Sequence, residues 1–165
     1  QIFTINENIF IYGLNTTILR YFHVYGPRQE SNEFGGVVSI FLKRITEGKN
    51  PVVFGSGKQV RSFTWVKDLV EVNLQAAINP LSAGKVYNAA SGIRVTINDL
   101  ATNMIEYMNA RKKVAVEYSS PLLGDIMEFD VSNEAVTTEL SVSFNTEFWK
   151  TLKIAIADTS SFLNR

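Results

Sequence analysis

An apolar, β-branched run from Thr16 to Phe22 is followed by Tyr25-Gly26-Pro27-Arg28, and this run-then-turn pattern is what most limits the folds open to the chain. Proline gives no N–H to a ladder and glycine takes backbone angles closed to other residues, so the pair ends a strand. A helical pattern comes next: Val37, Val38, Phe41, Leu42 and Ile45 recur at helical spacing, and Gly48 stands where a C-cap glycine belongs. Pro51 to Phe54 reads as a short strand meeting Gly55-Ser56-Gly57, and Ser62 to Val66 as another. Val66, Leu69, Val70, Leu74, Ala77 and Ile78 describe an amphipathic helix that stops at Asn79-Pro80. Lys85 to Ala90 is a strand turned by Ser91-Gly92. Thr96 with Asp99 resembles a capping box, opening a helix with Ile97, Leu100, Met104 and Met108 inside. Lys113 to Tyr118 alternates as a strand does, and a last helix runs from near Thr146 towards Leu163. Residues 1 to 11 show no persistent period. Strands alternating with helices predict an α/β fold.

Composition narrows the function classes. The 165 residues suffice for one domain with a core, and 45% apolar with 19% charged residues excludes a disordered chain. Sixteen basic and sixteen acidic side chains cancel with no long basic run, which is no footprint of a nucleic-acid binder. One anionic small molecule held by a single arginine stays compatible. The absence of cysteine removes disulfides, thiol catalysis and cysteine-ligated metals. No segment nears the roughly 18 apolar residues that span a bilayer, and no basic-then-apolar leader opens the chain. The expectation is a cytoplasmic protein without a membrane partner.

Three polar residues stand out. Arg61 follows the glycine turn and precedes the apolar Phe63-Thr64-Trp65-Val66; a guanidinium there is a surface arginine, a structural ion pair or a two-pronged clamp on a pyrophosphate. His23, the one histidine, ends an apolar strand; it is either a hydrogen-bonded core residue or a donor to a ligand, and without a paired serine and carboxylate it makes no triad. Asp125 follows Gly124 and by itself is a turn residue. Asp68 is placed to cap the helix after it, and Asn88 to satisfy backbone groups at a strand end.

Leu19-Arg20-Tyr21-Phe22-His23-Val24-Tyr25-Gly26-Pro27-Arg28, then Gly55-Ser56-Gly57-Lys58-Gln59-Val60-Arg61-Ser62-Phe63 leading into Val66-Lys67-Asp68, resemble the second half of the NAD-dependent epimerase/dehydratase family. These are extended short-chain dehydrogenases acting on nucleotide sugars, and the nearest type is the UDP-glucose 4-epimerases. The resemblance implies a partial Rossmann-like sheet plus the small substrate-binding α/β subdomain. It places Arg61 on the arginine that contacts the nucleotide phosphates and His23 on an asparagine that hydrogen-bonds the substrate. Val53 and Phe54 fall on the strand supporting the uracil end, and Phe22 on the strand end near the nicotinamide. Asp125 matches the aspartate of an Arg-x-Gly-Asp segment whose arginine is here Leu122, a loss on the order of 2–4 kcal/mol of ligand binding. Ser56 and Ser62 replace aspartates.

The family's Gly-x-x-Gly-x-x-Gly turn for NAD and its Tyr-x-x-x-Lys pair occur nowhere in these residues. The resemblance runs from about residue 12 to 163 and covers the non-catalytic half. The expectation is therefore one domain, residues 1–165, equivalent to the C-terminal substrate-binding half, with the NAD-binding portion absent. It would bind a UDP-sugar, would not bind NAD alone and would not be catalytic alone. The alternatives are a binding or assembly module, covering apolar strand edges as a homo-oligomer or with a partner chain supplying the NAD-binding half, and a truncated gene product without activity.

Overall fold

Strand pairing is mostly parallel, as βαβ connectivity requires. The structure is a computed structural model describing residues 13–30, 35–128 and 130–163, with side chains described as far as Thr159. The irregular lead-in expected at residues 1 to 11 lies outside them. β1 (Ile18–Tyr21) runs parallel to β6 (Val86–Ala89), with Ile18 opposite Val86 and Tyr21 opposite Ala89. β2 (Val24–Tyr25) runs parallel to β5 (Thr64–Trp65), and β3 (Val52–Phe54) parallel to β8 (Glu117–Ser119). β4 (Val60–Ser62) is antiparallel to β7 (Arg94–Thr96). The helices are α1 (Val37–Thr46), α2 (Val66–Ile78), α3 (Ile97–Tyr107), α4 (Glu134–Glu139) and α5 (Phe148–Leu163). None of the described helices is long and apolar enough to cross a membrane.

Two apolar clusters hold these elements. The larger gathers Phe41 of α1, Leu100 and Met104 of α3 and Leu152 of α5 around Tyr25, Phe63, Trp65 and Phe148. Its rings meet at an angle, Phe148 lying 5.0 Å from Tyr25 and 5.1 Å from Phe63 between centroids. Such pairs add about 0.5–1.5 kcal/mol each beyond their buried area. The buried Tyr25 hydroxyl shares a hydrogen bond with Thr151 Oγ1, and burial pushes its pKa up to about 12. The second cluster packs Leu69, Val72 and Ala76 of α2 on Tyr87 and Ala89 of β6 and on Val136, Leu140 and Val142.

The helix boundaries follow the expected signals. Gly48 (φ 70°) ends α1 with its N–H donated to Ile45 O, Thr96 Oγ1 accepts from Asp99 N at 3.0 Å to open α3, and α2 stops at Asn79. Other expectations need correction. Ser62 to Val66 is not one strand: β4 and β5 pair with different partners, the chain switches between them at the buried Phe63, and Val66 already belongs to α2. The strand expected at Lys113 to Tyr118 is the exposed Glu117–Ser119, because Val114 is spent on a turn that bonds back to Ala110. Asp68 does not cap α2. It lies within the first turn, and its carboxylate accepts from Asn145 N at 2.8 Å, anchoring the segment before α5. Asn88 reaches the Ser132 carbonyl at 3.4 Å.

The largest departure concerns α2. Of the apolar set expected inside, only Leu69 is buried; Val72 and Ala76 complete the inner stripe. Val70, Leu74 and Ile78 are 55%, 55% and 72% exposed and form a second apolar stripe along the outside, four residues apart. β1, read as buried, is likewise half exposed, and among the described residues it pairs only with β6.

Candidate functional site

The site forms where β3 turns into β4. Gly55 and Gly57 both take positive φ, 67° and 71°, which reverses the chain in a tight turn. Asn98, in the first turn of α3, holds that turn from outside: its N–H donates to Gly57 O at 3.0 Å and its Nδ2 to Ser56 O at 2.8 Å. Tyr118 of β8 completes the brace, its hydroxyl donating to Asn98 Oδ1 at 3.0 Å.

Arg61 points from β4 towards the loop after β8. Its Nη1 donates to Val60 O at 2.8 Å and Ile126 O at 2.5 Å, and its Nη2 pairs with Asp125 Oδ1. The two side chains are 14% and 21% exposed, so this ion pair is mostly sheltered from water. It is a structural ion pair, one of the two plain readings that the sequence leaves open for Arg61. The loop also runs along β4, Val60 N donating to Met127 O at 2.8 Å, and Arg94 of β7 holds Glu128 at 3.1 Å. Asp125 is both turn residue, its N–H bonded to Leu122 O, and Arg61's partner. Leu122 is exposed, and Leu123 wholly so.

His23 sits between β1 and β2 with φ 38°, the left-handed region that asparagine and histidine enter more readily than most residues. Asparagine, which the resemblance implies at this position, enters the same region. His23 is an exposed residue, yet its ring lies 5.7 Å from that of Phe63. Packing against protein and then the nearby Arg61 charge lower its pKa from 6.5, opposed by a hydrogen bond to the Ser62 backbone. His23 is therefore within electrostatic reach of Arg61.

Phe54 shows a partly exposed ring beside the turn, whereas the Val53 side chain is buried in the larger cluster, leaving only its backbone to offer. Phe22 is half-buried at the end of β1. The structure thus gathers Arg61, Asp125, His23 and Phe54 around one strand junction and directs Val53 inward.

Sequence reasoning passed over Gln59. Its Nε2 donates to Phe54 O at 2.8 Å and to Asp125 Oδ2 at 3.2 Å, and it is 5% exposed. A signal was present: side chains two apart on an extended segment share a face, so Gln59 looks where Arg61 looks. Ser62 Oγ and Gln59 Oε1 are buried without a hydrogen-bond partner among the described residues.

A dinucleotide would need a glycine turn joining a strand to a helix N-terminus. Among the described residues β5 enters α2 at Trp65-Val66 and β7 enters α3 at Thr96, both without glycine, β1 runs into Phe22-His23, and α1 has Gly36 at its N-cap but follows β2 only after a long connection. No Gly-x-x-Gly-x-x-Gly sequence joins a strand to a helix among them. No cluster of metal-ligating side chains occurs among the described residues.

Residues 10–90 match the model of the NAD dependent epimerase/dehydratase family. A UDP-N-acetyl-alpha-D-glucosaminuronate decarboxylase of Bacillus cytotoxicus is 34% identical over 62% of this chain and 32% of its own length. A putative UDP-glucose 4-epimerase of Methanocaldococcus jannaschii is 37% identical over 54% of this chain and 28% of its own. The UDP-glucose 4-epimerase of Thermotoga maritima, solved with UDP-glucose, superposes with a TM-score of 0.89 at 29% identity, covering 98% of this chain and 51% of that one. The chain thus spans about a third of the curated relatives it matches and half of the solved structure.

Proposed function

The chain belongs to the NAD-dependent epimerase/dehydratase family, and on that premise we propose that residues 1–165 are equivalent to its C-terminal, substrate-binding half and bind a UDP-sugar. Arg61 receives the phosphates. His23 and Asp125 donate to or accept from the sugar and ribose, and the Val53–Phe54 strand carries the base. Phe22, half-buried at the end of β1, is assigned to the cofactor side of the site. The observation that supports this most is the sheltered Arg61–Asp125 pair beside the exposed Phe54 ring and His23. With no Tyr-x-x-x-Lys and no glycine turn for NAD, these residues bind without turnover.

The test is an amide NMR titration with UDP, then UDP-glucose, with NAD as comparison. Saturable shifts around Arg61 and Asp125 with the uridine ligands and none with NAD are expected. Silence with every ligand at about millimolar concentration, the weak end of specific binding, overturns the reading. Epimerisation of UDP-glucose by this chain and NAD alone would refute the non-catalytic part.

A second, compatible role draws on the outer face of α2. Ile78 of the Val70, Leu74 and Ile78 stripe lines a groove of about 520 Å³ together with Leu19 of β1 and Asn73 and Ala77 of α2. Beside it lies β1, which among the described residues pairs only with β6, and a strand so placed with an apolar flank invites pairing. This face assembles with a second copy or with a chain carrying the NAD-binding half. Light scattering coupled to size exclusion should find a dimer, or a complex with such a chain; a clean monomer that ignores it counts against the role.

A further inference from the structure

We propose that Gln59 is the positioning residue of this site, setting Asp125, and through it the Arg61 guanidinium, against the strand end that carries Phe54. The amide is almost wholly buried just before β4, and its backbone is fixed by Ile97 N donating to Gln59 O at 3.2 Å. Both acceptors facing it, Phe54 O at 2.8 Å and Asp125 Oδ2 at 3.2 Å, require a donor, so the nitrogen must be the end that points at them. Asp125 then has one oxygen on Gln59 and the other on Arg61. The remaining end of the amide, Oε1, is buried without a partner among the described residues. A buried orphan acceptor is unfavourable. What the residue returns is donation alone, and that donation goes to the turn carbonyl and to the carboxylate that orients the guanidinium. Gln59 thus ties the β3 end, the loop after β8 and the cation on β4 into one chain of bonds.

Gln59→Glu isolates this role, because it keeps the shape and exchanges the donor for a carboxylate facing Asp125 and a carbonyl. Near pH 7.5 the added charge repels Asp125, and the Arg61 guanidinium signals of the ligand-free protein should broaden and shift. Near pH 5 a proton on the introduced carboxyl group, favoured by the adjacent Asp125 carboxylate, restores a donor and with it the wild-type signals. Gln59→Leu should lose them at both pH values. The ligand arm rests on the nucleotide-sugar reading: UDP-glucose binding should weaken about tenfold in Gln59→Glu near pH 7.5 and return to within about twofold of wild type near pH 5.

Arg61 and Asp125 signals unchanged in folded Gln59→Glu, or a loss that persists near pH 5, overturn the proposal. If wild type binds no UDP-glucose, the nucleotide-sugar reading falls, while the ligand-free signals still decide the role of Gln59. Should Gln59→Glu fail to fold, Asp125→Asn replaces it. The signals of the buried Gln59 side-chain NH2 pair should then move, and an unmoved pair overturns the proposal.

Discussion

Asn98 occupies the space that any side chain at residue 57 would need. A β-carbon on Gly57 would lie 1.9 Å from Asn98 Oδ1, and φ of 71° already disfavours every other residue. The turn and the first turn of α3 are therefore shaped to each other, and the site inherits its geometry from that fit.

Gly57→Ala should accordingly destabilise the fold by about 2 kcal/mol or more, from backbone strain and displacement of Asn98. In an Asn98→Ala background the same change should cost only the strain, about 1 kcal/mol. Urea denaturation of the four proteins gives the coupling directly, and an additive cycle would show that the two residues do not interfere.

Leu122→Arg supplies a cation where the family carries one, on an exposed loop position beside Asp125. UDP-glucose should bind about tenfold more tightly, since a second guanidinium adds a charge-assisted contact to the diphosphate. Stability should stay within about 0.5 kcal/mol, as for other surface changes. Calorimetric titration and a thermal melt measure the two effects separately.

His23 should give stability and binding opposite pH trends. Its folded-state pKa lies below 6.5 because packing and Arg61 disfavour the imidazolium. Between that lowered pKa and 6.5 the unfolded chain binds the proton and the folded one does not, so this contribution is present at higher pH and lost as pH falls through the window. An anionic ligand favours the charged ring, so UDP-glucose, whose diphosphate does not titrate there, should bind more tightly as pH falls. His23→Asn should flatten both trends while keeping the left-handed backbone. A variant titrating like wild type would show that another group is responsible.

Replacing Leu74 by Glu on the outer stripe of α2 should abolish self-association or capture of a partner chain while leaving monomer stability within about 0.5 kcal/mol, because the residue is more than half exposed. Sedimentation and a urea melt separate the outcomes. A large loss of stability would mean that the stripe packs within its own chain.

Legibility in the sequence followed range. Gly48, the Thr96–Asp99 box and Asn79-Pro80 mark helix ends because capping is settled within a few residues. The two-residue β2 and three-residue β7 exist because distant partners receive them, and α4 has a single buried residue, Val136, too little to make a period. The outer face of α2 looked like core because apolar residues at helical spacing do not say which of two stripes is covered. At the site, Arg61 and Asp125 could be singled out one by one. Their pairing, and the amide that joins them to Phe54, arise only when the loop after β8 lies along β4.

Phe54 and Arg61 stand on different ladders, β3–β8 and β4–β7, each only three residues long. Ladders so short can open locally and independently. A ligand gripped by both strands would act as a cross-tie, since neither ladder could then open without releasing it. Occupancy would therefore register at a distance, as slowed amide exchange in Glu117–Ser119 and Arg94–Thr96, the partner strands that carry none of the proposed contacts.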